Sequence, residues 1–194
     1  MYMKKTVEEK KKDILQVATK LFAEKGYEGT TMAEVAKLAN VGFGTVATYY
    51  DNKETLLLKC VEEPMPRFLK EVLQFNVHPE DYAQELAAMT LKHFHFFHES
   101  RIYLLLLIHI TSQWEKYYKP YLVAHLGAKE LAEKVERLIQ NGQAAGQILP
   151  GDPNVIANAY ISVLLGLFLS NTDRFSDESL QQFAENSIRL FGLR

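Results

Sequence analysis

The chain has 194 residues, of which 47% are apolar and 24% are charged, and its formal net charge at pH 7 is −2. This composition is typical of a compact protein of one or two domains, and the single cysteine, Cys60, excludes an intramolecular disulfide. The most apolar run, 102–110, is too short to cross a bilayer, and no N-terminal signal pattern precedes the first helix. We therefore expect a cytoplasmic protein with no membrane partner.

The first predicted helix runs from Val7 to Glu24, and Gly26 follows it in the position of a left-handed cap. Its apolar positions at helical spacing are Ile14, Leu15, Val17, Ala18, Leu21 and Phe22. A lysine cluster at its start is either a solvated surface or a source of nonspecific phosphate contacts; its members are Lys4, Lys5, Lys10, Lys11 and Lys12. Residues 1–59 contain ten lysines and eight acidic residues, so this end of the chain is slightly positive.

Two short helices joined by a tight turn are predicted next. Thr31 is a good N-cap for the first of them, and Glu34 is placed to complete a capping box. The buried stripe of this helix is Val35, Ala36 and Ala39, whose small side chains allow another helix to approach closely. Asn40 and Gly42 then provide the turn, because Asn tolerates left-handed backbone and Gly is permissive.

The second helix of this pair begins at Phe43. Val46 and Tyr50 lie four residues apart and face inward in this interpretation, which makes Tyr50 a core residue. The residues left on other faces are Phe43, Thr45, Thr48 and Tyr49. Two helices joined in this way present the second one to a DNA groove, and the alternative is that they are simply packed helices of an all-α core.

A third helix of the small bundle is predicted from Lys53, with Asn52 as its N-cap. A cation in the first turn opposes the helix dipole, so the pattern favours an external anion such as a DNA phosphate near Lys53. The helix continues through a buried thiol at Cys60 to residue 63, where Pro64 and Pro66 interrupt it. We therefore predict a DNA-binding domain over 1–63 and a second domain over 64–194.

The segments LFAEKGYEGTTMAEVAKLANV and GxxxxYYxxKExL resemble the DNA-binding domain of the tetracycline-repressor (TetR) family over about the first sixty residues. The second motif is realised by Gly44, Tyr49, Tyr50, Lys53, Glu54 and Leu56. Four positions depart from the family pattern, which usually has Ser, a polar or charged residue, Tyr and Phe in place of Gly42, Phe43, Ala47 and Tyr50. These departures prevent the transfer of an operator sequence from any relative.

The resemblance implies roles for individual residues in duplex DNA binding. Thr31 and Lys53 would hold phosphates, and Tyr49 would contact the DNA backbone. Thr45 and Thr48 would reach base edges, and Phe43 would touch a thymine methyl group. The predicted DNA-binding set is Thr31, Gly42, Phe43, Gly44, Thr45, Thr48, Tyr49 and Lys53.

Residues 64–194 show no strand alternation and read as roughly six helices, so the predicted fold class is all-α: an N-terminal three-helix helix-turn-helix domain and a C-terminal helical domain for effector binding and dimerisation. The segment Val155 to Ser170 is apolar on nearly all faces, which favours burial against a second subunit over burial inside one protomer. TetR-like proteins pair through their last two helices, which supports a homodimer. The predicted interface residues are Tyr160, Val163, Leu167, Phe183 and Ile188.

The region between His93 and Tyr121 is dense in aromatic residues, which is typical either of a helical core or of a pocket for an apolar or aromatic small molecule. The predicted effector-binding residues are Phe97, Tyr103, Leu107, His109, Trp114 and Tyr121. His95, His98 and Glu99 share one helical face and could provide part of a metal site, but no second cluster of ligands completes it. We therefore predict no metal and no cofactor.

No nucleophile or nucleotide-loop signature is present, so the chain is not predicted to be an enzyme. We predict a homodimeric repressor that a small effector, not identifiable from the sequence, releases from a palindromic double-stranded DNA operator. The alternatives are a DNA-binding protein of the same fold that is regulated by protein partners and, less favoured, an all-α enzyme or carrier.

Overall fold

A computed structural model describes residues 5–170 and 177–190, apart from the side chains of residues 177 and 187–190. Every regular element in these residues is a helix, so the predicted all-α fold class is confirmed. The helices are α1 (Val7–Lys25), α2 (Met32–Leu38), α3 (Phe43–Tyr50), α4 (Lys53–Glu62), α5 (Met65–Val72), α6 (Tyr82–Glu99), α7 (Arg101–Ser112), α8 (Tyr118–Ala144), α9 (Pro153–Leu169) and α10 (Asp177–Leu190). Among the described helices, none is both long enough and apolar enough to cross a membrane.

The chain divides into two compact units. Unit 1 contains Met1–Pro66 and Arg101–Leu126, and unit 2 contains Arg67–Ser100 and Gly127–Arg194. The first unit therefore includes α7, which lies outside the predicted DNA-binding domain 1–63. The apolar face of α7 packs against α1 and α4, and sequence periodicity predicts such a face without identifying its partner.

The first helix of unit 1 is fixed by signals at both of its ends. Thr6 and Glu9 form a capping box, in which each side chain accepts from the other residue's backbone N–H at 2.7 and 3.2 Å. Gly26 has φ +70° and its N–H donates to the Phe22 carbonyl at 3.1 Å, which ends α1 one residue beyond the predicted position. Cys60 of α4 is buried against α1, and this burial raises the pKa of its thiol to about 12.

Unit 2 contains a buried polar network around His93. Only 1% of the surface of His93 is exposed. His93 Nε2 lies 2.6 Å from the carbonyl oxygen of Val72, and Nδ1 lies 2.7 Å from the hydroxyl of Tyr160. Because a carbonyl can only accept, Nε2 carries the proton and Nδ1 accepts from Tyr160. The neutral ring thereby connects α5, α6 and α9, and its burial lowers the pKa of His93 to about 4.

Candidate nucleic-acid interface

The turn between α2 and α3 is built by local capping. The Thr31 hydroxyl accepts the Glu34 N–H at 3.1 Å, while the Glu34 carboxylate accepts from Lys25 Nζ at 2.5 Å instead of closing a capping box. Asn40 has φ +54°, the left-handed conformation that the sequence predicts there, and the Val41 N–H donates to the Ala36 carbonyl at 3.0 Å. Gly42 is the N-cap of α3, so the recognition helix follows the turn at once.

The orientation of α3 is set by two buried side chains, Val46 and Tyr50. The Tyr50 hydroxyl donates to the Lys11 carbonyl at 3.4 Å, which ties this face of α3 to α1. Burial of the phenol raises the pKa of Tyr50 well above its usual range, so it remains a neutral donor. The opposite face of α3 is therefore turned away from the core.

The predicted DNA-contacting residues lie partly on that outward face and partly at the N-terminal end of α3, where Phe43 begins the helix on the same side as Val46 and Tyr50. Gly42, Gly44 and Thr48 are exposed, and 58% of the Phe43 surface is exposed. Thr45 is half-buried and remains accessible at the edge of the face. The geometry is compatible with insertion of α3 into a major groove, and the individual base contacts remain predictions.

The predicted backbone-contacting residues surround this face. Thr31 is exposed at the start of α2, and Tyr49 is half-buried beside Tyr50, with a ring separation of 6.4 Å. The Lys11 ammonium lies 5.8 Å from the centre of the Tyr49 ring. This places a cation from α1 next to the recognition helix, where a DNA phosphate would be favoured electrostatically. Lys4 of the predicted lysine cluster lies outside the described residues.

Lys53 has an internal function that the sequence analysis missed. Its ammonium donates to the carbonyl oxygens of Tyr27 at 2.8 Å and Thr30 at 3.0 Å, and it lies 4.1 Å from the centre of the Tyr27 ring. These contacts hold the α1–α2 loop to the start of α4. They explain, without DNA, why a cation is found at the positive end of a helix. Phosphate binding by Lys53 remains a prediction; because two of the three ammonium protons are donated to these carbonyls, a phosphate would have to accept the third.

We expect Lys53→Met to lower the free energy of unfolding by about 2 to 3 kcal/mol, because it removes two charge-assisted hydrogen bonds and a cation–π contact. Thermal or urea unfolding measures this loss. Lys37→Met, at an exposed position on α2, is the matched control and is expected to leave stability unchanged. Equal stability of the two variants would show that the loop contacts contribute little.

The predicted effector-binding residues are divided between the two units. Phe97 belongs to unit 2, where its ring stacks 6.2 Å from that of His93, and the other five residues belong to unit 1. Tyr103 and Leu107 are buried in unit 1, with the Tyr103 hydroxyl donating to the Val61 carbonyl at 2.7 Å. These three side chains have packing roles in the described structure, and their contact with an effector remains a prediction.

The remaining three predicted effector residues are more accessible. The His109 ring approaches the backbone of Gly26 and lies 5.9 Å from the Tyr117 ring. Trp114 is 49% exposed and its ring lies 6.0 Å from that of Tyr121. An open depression of about 290 Å³ adjoins Trp114; it is lined by Ser112, Gln113, Trp114, Glu115 and Lys116.

The predicted dimer residues also have different surroundings. Tyr160 is 1% exposed and bonded to His93, so its burial within unit 2 does not require a second subunit. Val163, Leu167 and Phe183 are half-buried and retain accessible apolar surface. Ile188 lies outside the residues whose side chains are described.

The three candidate metal ligands lie on α6 and are all exposed; they are His95, His98 and Glu99. In the described part of the chain, no three His, Cys, Asp or Glu side chains come together in an arrangement that could hold a metal ion.

The chain is similar to known bacterial transcriptional regulators. Residues 14–60 match the sequence profile described as "Bacterial regulatory proteins, tetR family". The chain is 32% identical over 172 residues to YhgD of Bacillus subtilis, an uncharacterized HTH-type transcriptional regulator, and the alignment covers 82% of each chain. It is 32% identical over 102 residues to IcaR of Staphylococcus epidermidis, the HTH-type negative transcriptional regulator of the biofilm operon icaADBC, covering 53% of this chain and 54% of that one.

The fold is similar to the crystal structure of a bacterial regulatory protein in the tetR family from Rhodococcus RHA1. The TM-score is 0.80 at 20% sequence identity, and the match covers 95% of this chain and 98% of that one. The helix-turn-helix in α2 and α3 and the helices that follow are therefore features shared with a solved member of this fold.

Proposed function

The chain belongs to the TetR family of DNA-binding transcriptional regulators, and we propose that it is a homodimeric repressor released from a palindromic operator by a small apolar or aromatic effector. Its relatives are regulators rather than enzymes. The observation that carries the proposal is the exposed surface of α3 beyond the α2–α3 turn, made of Gly42, Phe43 and Gly44 at its N-terminal end and Thr48 on its outward face. The proposed site of action is the cytoplasm, where bacterial DNA lies.

Repression is the direction of control that the comparisons favour. The similarity to the negative regulator of a biofilm operon extends over about half of the chain. A protein dimer bound across an operator blocks access to the promoter by occupying the same duplex. In this proposal, transcription rises when the protein leaves the DNA.

The dimer is supported by an exposed stripe along α9. Its members recur at helical spacing on the side opposite the buried face of that helix; they are Val155, Ala159, Ser162, Gly166 and Leu169. The small residues in the middle of the stripe allow a second α9 to approach closely, and apolar residues close both ends. Val163 and Leu167 lie beside the stripe on α9, and Phe183 belongs to α10, which packs against α6 in the same unit.

The effector is proposed to be apolar or aromatic because unit 2 contains a cluster of aromatic rings. Phe68 lies 5.3 Å from Phe96 and 6.0 Å from Phe97, and Phe75 meets the His93 ring at 5.9 Å. An apolar ligand that prefers one of two arrangements of this cluster shifts the population of the protein toward that arrangement. A coupling free energy of about 1 to 3 kcal/mol between the two sites lowers the affinity for DNA by a factor of about five to about a hundred.

The function is tested by selecting operators from a random duplex library with the full-length protein, followed by gel-shift titration. We expect two inverted half-sites centred about 34 to 36 Å apart, as two recognition helices related by a dimer axis require. Indole, benzoate and laurate are the effector probes, and release of the DNA by one of them is the expected response. The absence of any enriched duplex would contradict the proposed function.

A matched variant tests the dimer in the same assay. Gly166 is exposed, and a Cβ atom there would meet nothing within 4 Å, so Gly166→Glu fits within the protomer. A buried charge in the proposed interface opposes association, so we expect sedimentation analysis to find a monomer with weak operator binding. Gly166→Ala, which adds no charge, is the control and is expected to remain a dimer. A dimeric Gly166→Glu protein would contradict this assignment of the interface.

A further inference from the structure

We propose that α3 recognises its operator mainly through the 5-methyl groups of thymine in the major groove, with Phe43 as the principal contact. The inference rests on the proposed function and specifies the chemistry by which the same site reads DNA. It replaces the hydrogen-bonded base recognition that Thr45 and Thr48 are predicted to provide with a mainly apolar readout.

The composition of α3 limits how this helix can read bases. Residues 43–50 read FGTVATYY and contain no Lys, Arg, Asn, Gln, Asp, Glu or His. The bidentate pairs that most often read bases are Arg or Lys with guanine and Asn or Gln with adenine. This helix therefore lacks the side chains that form those pairs, and base discrimination by α3 must use hydroxyl groups or apolar contacts.

Two of the four hydroxyl groups of α3 are engaged within the protein. Thr48 Oγ1 donates to the Gly44 carbonyl at 2.7 Å, so this side chain offers a methyl group and oxygen lone pairs to the outside. The Tyr50 hydroxyl donates to the backbone carbonyl of Lys11, and Tyr49 is half-buried beside Tyr50. Thr45, also half-buried, is left as a secondary donor to a base edge.

Phe43 lies at the N-terminal end of α3. It is the first residue of α3, and the N-terminal residues of a recognition helix are those that approach base edges. Its neighbours Gly42 and Gly44 are exposed and lack side chains, and a Cβ atom at Gly44 would meet nothing within 4 Å. The two positions beside Phe43 in the chain therefore carry no side chain, and the backbone there permits close approach to a base pair.

The chemistry of the groove identifies the partner of this ring. The thymine 5-methyl is the apolar group that the four bases display in the major groove, and contact with it is a known role of Phe. Leu38, at the end of α2 before the turn, is a second exposed apolar side chain, with 56% of its surface accessible. Lys11, whose ammonium lies beside the Tyr49 ring, is placed to supply charge for a phosphate next to this apolar centre.

The test replaces each thymine of the selected operator, one at a time, with deoxyuridine, which removes the methyl group and preserves base pairing. Fluorescence anisotropy with the full-length protein measures the affinity. We expect at least one position in each half-site where loss of the methyl group weakens binding about fourfold. In Phe43→Ala this sensitivity is expected to disappear, while Leu38→Ala, the matched change across the turn, is expected to retain it.

Phe43→Leu has an apolar but smaller side chain and serves as a second variant in case Phe43→Ala binds too weakly for titration. We expect it to retain part of the sensitivity to the methyl group. Equal affinity for thymine and deoxyuridine at every position would overturn the inference and leave the proposed function intact. Undiminished sensitivity in Phe43→Ala would overturn the assignment to Phe43. Failure of the wild-type protein to bind any duplex would overturn the proposed function itself.

Discussion

Replacing Gly44 with Glu is expected to abolish operator binding while making the protein slightly more stable. Gly44 is the second residue of α3, and its exposed position has open space for a side chain. Glycine is less favourable than Ala inside a helix by about 0.8 to 1.0 kcal/mol, whereas Glu is a good helix former, and an acid in the first turn also interacts favourably with the helix dipole. The free energy of unfolding should therefore rise by about 1 kcal/mol.

The same carboxylate would face the DNA if α3 lies in the groove. Like charges brought together at an interface cost several kcal/mol, which corresponds to a loss of affinity of about a hundredfold or more. Gel-shift titration measures the affinity and urea unfolding measures the stability. This combination separates a binding defect from a folding defect, because the two quantities move in opposite directions.

Gly44→Gln is the matched control, since it adds a side chain of the same size without the charge. We expect it to share most of the stability gain and to lose far less affinity than Gly44→Glu. Equal binding by the two variants would mean that position 44 does not face the phosphates, and the assignment of the reading face to α3 would have to be abandoned.

The second large effect concerns pH. The free energy of unfolding is expected to fall by about 3 kcal/mol through His93 as the pH is lowered from 7.5 to 4. Burial lowers the pKa of His93 to about 4 in the folded protein, below its ordinary value of about 6.5. Between these two values the unfolded chain binds a proton that the folded protein excludes, so stability is present above pH 6.5 and is lost toward pH 4.

Substituting His93 isolates this contribution from that of other titrating groups. His93→Phe should show a smaller decrease in stability over the same pH range, measured by urea unfolding. At neutral pH it should be less stable than the wild type by about 1 to 3 kcal/mol, because the Tyr160 hydroxyl and the Val72 carbonyl each lose the hydrogen bond to His93. His95→Gln, at an exposed position on the same helix, should follow the wild-type profile. Parallel profiles for His93→Phe and the wild type would contradict the role of His93.

Local signals in the sequence predicted much of the helix-turn-helix. Thr31, Asn40 and Gly26 act through their own backbone and its near neighbours, so their capping and turn roles can be inferred from residue type and spacing alone. The burial of Val46 and Tyr50 follows from the same spacing, and it fixes which residues of α3 face outward. For this reason the candidate reading face could be predicted before the fold was known.

Contacts between distant residues could not be predicted in the same way. The ammonium of Lys53 is bound by the carbonyls of Tyr27 and Thr30, more than twenty residues earlier in the chain. Tyr160 follows the apolar pattern of a helix that packs on a partner subunit, yet its hydroxyl is bonded to His93 in the same unit. Periodicity identifies an apolar face and not the surface that covers it.

The effector-binding residues were the least predictable part. They were selected as aromatic or apolar side chains from one stretch of sequence, and the fold assigns Phe97 to one unit and Tyr103, with the rest, to the other. Proximity in sequence is a poor guide here because α6 and α7 belong to different units although Ser100 alone separates them.

The central claim is that the exposed face of α3 lies against the bases, and cross-linking from position 43 tests it most directly. A photoreactive benzophenone side chain replaces Phe43 in the full-length protein, which is bound to the selected operator and irradiated. We predict cross-links to bases within both half-sites and none when the same group replaces Leu149, an exposed residue of unit 2. A complex that forms normally but cross-links to no base from position 43 would contradict the account.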